Sequence, residues 1–258
     1  MKILTSAVLS LCALFYSCAQ AAQCNKVVLS ADSDYPPLHW YDGKRLTGAS
    51  IEIAVTALQA LNIPVEVRYA GPFHQVLRGA QSGEIDMISS LKDTPERHEF
   101  LSFTSVPLFT NPIALFVPRE RKFPYTGWHD LIGKRGGVTQ GNQFGNGFDD
   151  FLKKNLTIET QQKVHMSFTK LELGQLDYLI TGYYSGLAYL ASAGQQDKFV
   201  ALRPFVTQTD NFIAFAKLSP CTVHLKELNR QLERMQKSGA LKTILDKHTA
   251  LLMAPAKL

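Results

Sequence analysis

The chain has 258 residues, 45% of them hydrophobic and 19% charged, with a formal net charge of +5. This composition excludes a disordered chain and supplies enough apolar material for one large domain or two small ones. The charges are interspersed without a basic run, so nucleic-acid binding is not supported, and the balance allows only a mild preference for anionic ligands.

In chain order the first feature is "MKILTSAVLSLCALFYSCAQAAQ". Lys2 precedes an apolar run from Ile3 to Tyr16, followed by Ala19-Gln20-Ala21, the pattern of a secretory signal peptide with a small-residue cleavage site. The run is short for a bilayer span. Cleavage after Ala21 or Ala22 is expected, which assigns residues 1–22 to the signal and makes the mature protein soluble and exported. A lipoprotein processed at Cys18 is the alternative, but bulky Phe15 and Tyr16 stand where small residues belong.

Short apolar strands and amphipathic helices then alternate. "KVVLSAD" reads as a strand running to a turn at Tyr35-Pro36-Pro37. "ASIEIAVTALQAL" places Ile51, Ala54, Val55, Leu58 and Leu61 on one helical face. "VEVRYA" is a strand, "FHQVLRGAQSG" a helix closed by Gly83, and "EIDMISS" the next strand. Such a βαβαβ pattern predicts a mainly parallel sheet with helices on its faces. Beyond it, Thr94 is a suitable N-cap and Pro95 a suitable first residue for a helix. Arg97 would then sit in the first turn, where a cation opposes the helix dipole. Either a neighbouring acid, Glu96 or Glu99, offsets it, or an anion from outside does.

"VPLFTNPIALFVPR", punctuated by Pro107, Pro112 and Pro118, reads as an extended crossing into a second unit. There "DLIGKRGGVTQG" predicts a strand and a glycine-rich turn, "NGFDDFLKKNL" a helix, "GQLDYLITG" a strand and "YYSGLAYLASAG" a helix. "DNFIAFAKLSP" is a second crossing, and the tail carries Leu225, Leu228, Leu232 and Met235 at helical spacing. Two α/β units joined by two crossings predict a cleft beyond the carboxyl ends of the strands, able to close by hinge motion.

Cys12 and Cys18 leave with the signal, so Cys24 and Cys221 remain in an oxidising compartment and are expected to form a disulfide; two buried free thiols are the alternative. None of the seven histidines forms an H-x-x-x-H arrangement, and no C-x-x-C occurs, so no metal site is expected. "GYYSG" around Ser185 is not a nucleophile elbow, and "QGNQFGNG" lacks the Lys-Ser/Thr of a P-loop. The latter is either a tight turn before a helix or an amide-rich anion site. No cofactor and no catalytic residue are expected.

"YPPLHWYDGKRLTGASIEIA", "LRGAQSGEIDMISSLKDTPERHEFLSFTSVPL", "LIGKRGGVTQGN" and "SGALKTILDKH", in this order, resemble the family 3 extracytoplasmic solute-binding proteins, the polar-amino-acid-binding components of ABC importers. The resemblance covers essentially the whole mature chain. It implies an α/β, two-lobed type II periplasmic binding protein fold with two hinge crossings. Lobe 1 would comprise 23–115 and 214–258, and lobe 2 would comprise 116–213. It further implies a periplasmic, non-enzymatic monomer that captures a small carboxylate-bearing solute for an ABC transporter permease. A stand-alone sensor serving a chemoreceptor or signalling kinase in the membrane is the alternative.

By the same resemblance, Arg97 would grip the ligand's carboxylate as a bidentate fork, aided by backbone donors at Ser90, Leu91 or Thr94. Asn142 and Gln143 in the second lobe's turn would add donors, and Tyr35, Trp40 and Phe73 would wall the ligand. Glu52 reads as structural. The chain departs from the pattern at Gly182, where amino-acid binders of the family carry the aspartate that pairs with the α-ammonium. Either Asp34 or Asp149 substitutes for that aspartate, or the ligand is an organic acid without the ammonium group.

Overall fold

The computed structural model describes residues 23–140, 142 and 144–253. The expected signal segment 1–22 and Gln143 lie outside the described residues. The first half of the chain forms β1 (Val27–Ser30), β2 (Asp34–Tyr35), β3 (His39–Tyr41), β4 (Leu46–Thr47), α1 (Ala49–Gln59), β5 (Val65–Val67), α2 (Phe73–Ser82), β6 (Met87–Lys92), β7 (Leu101–Phe103) and β8 (Phe109–Pro118). The second half forms β9 (Arg135–Thr139), α3 (Phe148–Asn155), β10 (Thr157–Gln161), α4 (Val164–Glu172), β11 (Tyr178–Gly182), α5 (Tyr183–Ser192), β12 (Phe199–Ala201), β13 (Thr207–Ala216), α6 (Leu225–Lys237) and α7 (Ala240–Met253).

One continuous sheet runs β10-β9-β11-β8-β13-β6-β1-β5. Its two ends are parallel: β1 pairs with β5 and β6, and β9 with β10 and β11. In the middle, β8 and β13 pair antiparallel with each other, β8 with β11, and β13 with β6. These are the two predicted crossings, and Leu115, Phe116, Val117, Ile213, Ala214 and Phe215 are fully buried within them. The expected lobe boundaries fall inside these two strands. The result is a mixed α/β, two-lobed fold.

Each half has its own apolar packing. Leu29, Ile53, Leu58, Met87, Leu228 and Leu232 belong to one cluster; Leu131, Phe148, Tyr178 and Ile180 belong to another. The predicted helical face of α1 is buried at Ile51, Ala54 and Leu58, while Val55 and Leu61 pack partly buried at its margin. Leu228, Leu232 and Met235 of α6 are buried as their spacing predicts, with Leu225 at the edge. Cys24 and Cys221 are bonded, tying the start of β1 to the short 3-10 turn Pro220–His224 that leads into α6.

Several features differ from the sequence reading. The β2–β3–β4 meander, the β10 strand and helix α4 had no predicted counterpart. β2 and β4 are two residues each and give no periodicity to read. The helix expected at Thr94 is a 3-10 turn of three residues, Arg97–Glu99, in which Thr94 caps through its backbone carbonyl, accepting from Arg97 N at 3.0 Å and His98 N at 3.3 Å. The chain returns to extended structure at Leu101, so the segment is too short to hold an α-helix.

Candidate functional site

β6 shapes the candidate site by a local irregularity. Ile88 pairs with Ala214 and Leu91 with Phe212, so β6 takes three steps where β13 takes two. A bulge of this kind re-aims the side chains around it. Ser89 points toward α1, where its hydroxyl meets that of Ser50 at 2.8 Å. Leu91 packs into the opposite cluster with Ile88 and Val76. Ser90 lines a cleft of about 180 Å3 together with Asp32, Tyr35, His39, Phe73, Leu91, Lys92, Arg97, Asn111 and Asn211. Its hydroxyl is buried and has no hydrogen-bond partner among the described residues; the same holds for Asn211 Oδ1. Buried polar atoms are seldom left unpaired, so both are suited to meet a polar ligand.

Arg97 enters this cleft from the 3-10 turn. With no helix behind it, the dipole conflict expected from the sequence has nothing to rest on. Backbone and ring contacts position the guanidinium instead. Nη1 donates to the Lys92 carbonyl at 2.7 Å, and the guanidinium carbon lies 5.4 Å from the Phe73 ring centroid. Arg97 joins none of the ion pairs among the described residues, with Glu96 and Glu99 or otherwise. Burial lowers its pKa, and the Glu96 charge opposes that shift only in part. A half-buried guanidinium with free N–H groups is a strong donor site for a carboxylate.

The floor is formed by the hinge strands. Tyr35 Oη donates to Asn111 Oδ1 at 2.6 Å, and burial raises the pKa of this phenol, opposed by its bonds to Asn111 and Ser185. Gly182 faces the same hydroxyl: a Cβ there would lie 3.4 Å from Tyr35 Oη and 3.2 Å from Ser185 Oγ. A side chain starting there would thus touch the tyrosine hydroxyl at ordinary contact distance and press slightly on Ser185 Oγ. His39 stands behind Tyr35, fully enclosed, with Nδ1 3.1 Å from Ser50 Oγ. Burial pushes its pKa down to about 3, so the ring is neutral at physiological pH.

Of the nine ligand positions expected from the sequence, Arg97, Ser90, Leu91, Tyr35 and Phe73 come together on this cleft. Leu91 can contribute only through its backbone, because its side chain is in the core. Thr94, expected to offer its backbone N–H, is not on the lining. Trp40 lies elsewhere, lining a separate cavity of about 820 Å3 with Tyr189 and Leu252. Its ring centroid is 6.1 Å from that of His248, edge-on. Asn142 is exposed, with its N–H on the Thr139 carbonyl at 3.1 Å, and is not on the lining.

The two suggested substitute acids are also elsewhere. Asp34 is exposed on β2, and Asp149 accepts from Phe144 N at 3.0 Å and Gly145 N at 2.7 Å. Glu52 holds Lys247 and His248 at 2.6 and 2.7 Å. Burial alone would raise its pKa, but those two partners keep it below the usual range.

Asp32, His39, Lys92, Asn111 and Asn211 line the cleft without having been singled out in the sequence. A signal for three of them exists. Asn111 and Asn211 are polar residues inside otherwise apolar crossing strands, and Lys92 follows Ser90 by the two residues that return a strand to the same face. Asp32 is the carboxylate on the lining, three residues before Tyr35.

Residues 27–250 match the bacterial extracellular solute-binding proteins, family 3. Among curated proteins, the arginine-binding extracellular protein ArtP of Bacillus subtilis (strain 168) is 22% identical over 85% of this chain and 84% of its own length. The second substrate-binding domain of a putative amino acid ABC transporter from Streptococcus pneumoniae Canada MDR_19A superposes with a TM-score of 0.71 at 20% identity, covering 87% of this chain and all of that one. The substrate-binding protein AbpA from the same organism, bound to L-arginine, gives a TM-score of 0.62 at 20% identity over 89% of this chain and 97% of its own.

Proposed function

The chain belongs to the bacterial extracellular solute-binding proteins, family 3, and from that premise we propose that it captures a small carboxylate-bearing solute between its lobes and presents the closed form to an ABC importer. Membership makes this a binding protein rather than an enzyme. The relatives named above bind amino acids or serve amino acid transporters, which favours an amino acid or a close analogue as cargo. The proposed location is the periplasm, following export directed by residues 1–22. The proposed lobes are 23–115 with 214–258, and 116–213, hinged where β8 and β13 lie side by side.

The observation that carries this reading is Arg97: half-buried, unpaired with any acid among the described residues, and beside the unpartnered hydroxyl of Ser90 in one cleft. A ligand carboxylate would take the guanidinium fork and the Ser90 hydroxyl together. Phe73 would cover one face of the bound group and Tyr35 would limit its depth. Contacts made only when both lobes touch the ligand would drive closure.

A thermal-shift screen of the purified protein against amino acids and organic acids tests this reading, since a ligand of the folded state raises Tm by mass action. Arg97→Ala should abolish the shift at ligand concentrations that saturate the native protein. Losing a charge-assisted pair in a desolvated site typically costs about 2–5 kcal/mol. Unchanged affinity in that variant would remove Arg97 from the site.

A further inference from the structure

Lys92 is the last residue of β6, two beyond Ser90. Leu91, between them, points into the core, so Lys92 and Ser90 share the face that lines the cleft. The Lys92 carbonyl holds Arg97 Nη1 at 2.7 Å, so the guanidinium lies beside the Lys92 main chain, and both residues line the cleft. Lys92, like Arg97, joins none of the ion pairs among the described residues.

Against these two cations the lining supplies one carboxylate, Asp32. The other polar groups there are neutral: Ser90, Tyr35, Asn111, Asn211 and the enclosed His39. Two like charges around a cleft of about 180 Å3 repel, and partial desolvation strengthens that repulsion. One monocarboxylate would occupy the Arg97 fork and leave Lys92 with no nearer counter-charge than Asp32, with which it forms no ion pair. A cationic amino acid would bring a third positive group into the same space.

Resting on the carboxylate-binding reading above, we infer that the ligand carries two anionic groups, one held by Arg97 and the second read by Lys92. The ligand class is a small dicarboxylic acid, with or without an amino group. Lys92 is then the residue that sets specificity away from arginine, the amino acid held by one of the proteins of similar fold named above.

Isothermal titration of the purified protein at fixed low ionic strength tests this. The probes are L-aspartate, L-glutamate, succinate and glutarate, with L-glutamine and L-arginine as comparisons. At least one diacid should bind about tenfold or more tightly than both comparisons. Comparing L-glutamate with glutarate, and L-aspartate with succinate, shows whether the amino group is recognised. Lys92→Met should weaken the preferred diacid by about tenfold and L-glutamine by much less; Lys92→Gln is the second variant if the first does not fold. The inference is overturned if L-glutamine or L-arginine outbinds all four diacids, if Lys92→Met weakens glutamine and glutamate equally, or if no diacid binds up to about 10 mM. In the first two cases, sensitivity of the observed binding to Arg97→Ala would leave the carboxylate reading standing while the dianion inference falls.

Discussion

His39 is a titratable side chain that the fold keeps neutral. Its ring is enclosed between Tyr35 and α1, and burial lowers its pKa to about 3 from an ordinary value near 6.5. Above pH ~6.5 the ring is neutral in both folded and unfolded chains, so folding carries no penalty. Below that value the unfolded chain takes up a proton that the folded one refuses, and stability is lost as pH falls toward 3. The urea midpoint should therefore drop between pH 7 and pH 5, and His39→Gln should flatten that slope. An equal slope in the variant would move the acid sensitivity to another group. Arg97 and Lys92 belong to this same scale: each carries one charged group that joins no ion pair among the described residues.

Helix α5 and strand β8 show how an element's position depends on what is absent from a side chain. Gly186 faces the Phe116 ring so closely that an added Cβ would sit 2.3 Å from it. Alanine is favoured over glycine within a helix by about 1 kcal/mol. Overpacking a dense core costs about 1–3 kcal/mol, so the clash outweighs the gain. Gly186→Ala should lower Tm by several degrees, and Phe116→Leu in the same chain should recover part of the loss. A melting temperature that rises with Gly186→Ala would mean that α5 can move off the sheet. The bulge in β6 acts at this scale too. By inserting one residue against β13, it leaves Leu91 in the core while Ser90 and Lys92 reach the cleft.

At the scale of the whole molecule, the Cys24–Cys221 bond spans a sequence separation of 197 residues. It ties the first strand to the segment that returns the chain to its first half after the second crossing. In the chain-entropy model, closing so long a loop removes about 4–5 kcal/mol of freedom from the unfolded state. The double variant Cys24→Ser/Cys221→Ser should lose stability of that order in urea denaturation, with the ligand affinity of the folded form retained. A loss below about 1 kcal/mol would show that the native contacts alone hold the chain ends. The middle of the sheet bears on motion as well: β8 and β13 carry both the main-chain link between the lobes and two cleft residues, Asn111 and Asn211.

The sequence by itself determined the cysteine-paired α/β character of the protein. It also determined the alternation of strands and helices and the two crossings, and it singled out Arg97 as a candidate ligand-binding residue. Those properties are written in local patterns: apolar periodicity, an even pair of cysteines, and a family motif of four consecutive residues ending in arginine. Only the tertiary structure decided which polar side chains share a cleft. Trp40 and Thr94 are close in sequence to site residues yet do not line it, while Asp32, Lys92, Asn111 and Asn211 converge there from separate strands and loops. The reason is that side-chain direction turns on single residues. One extra residue in β6 changes which side chains face the core, and a three-residue turn stands where a helix was predicted.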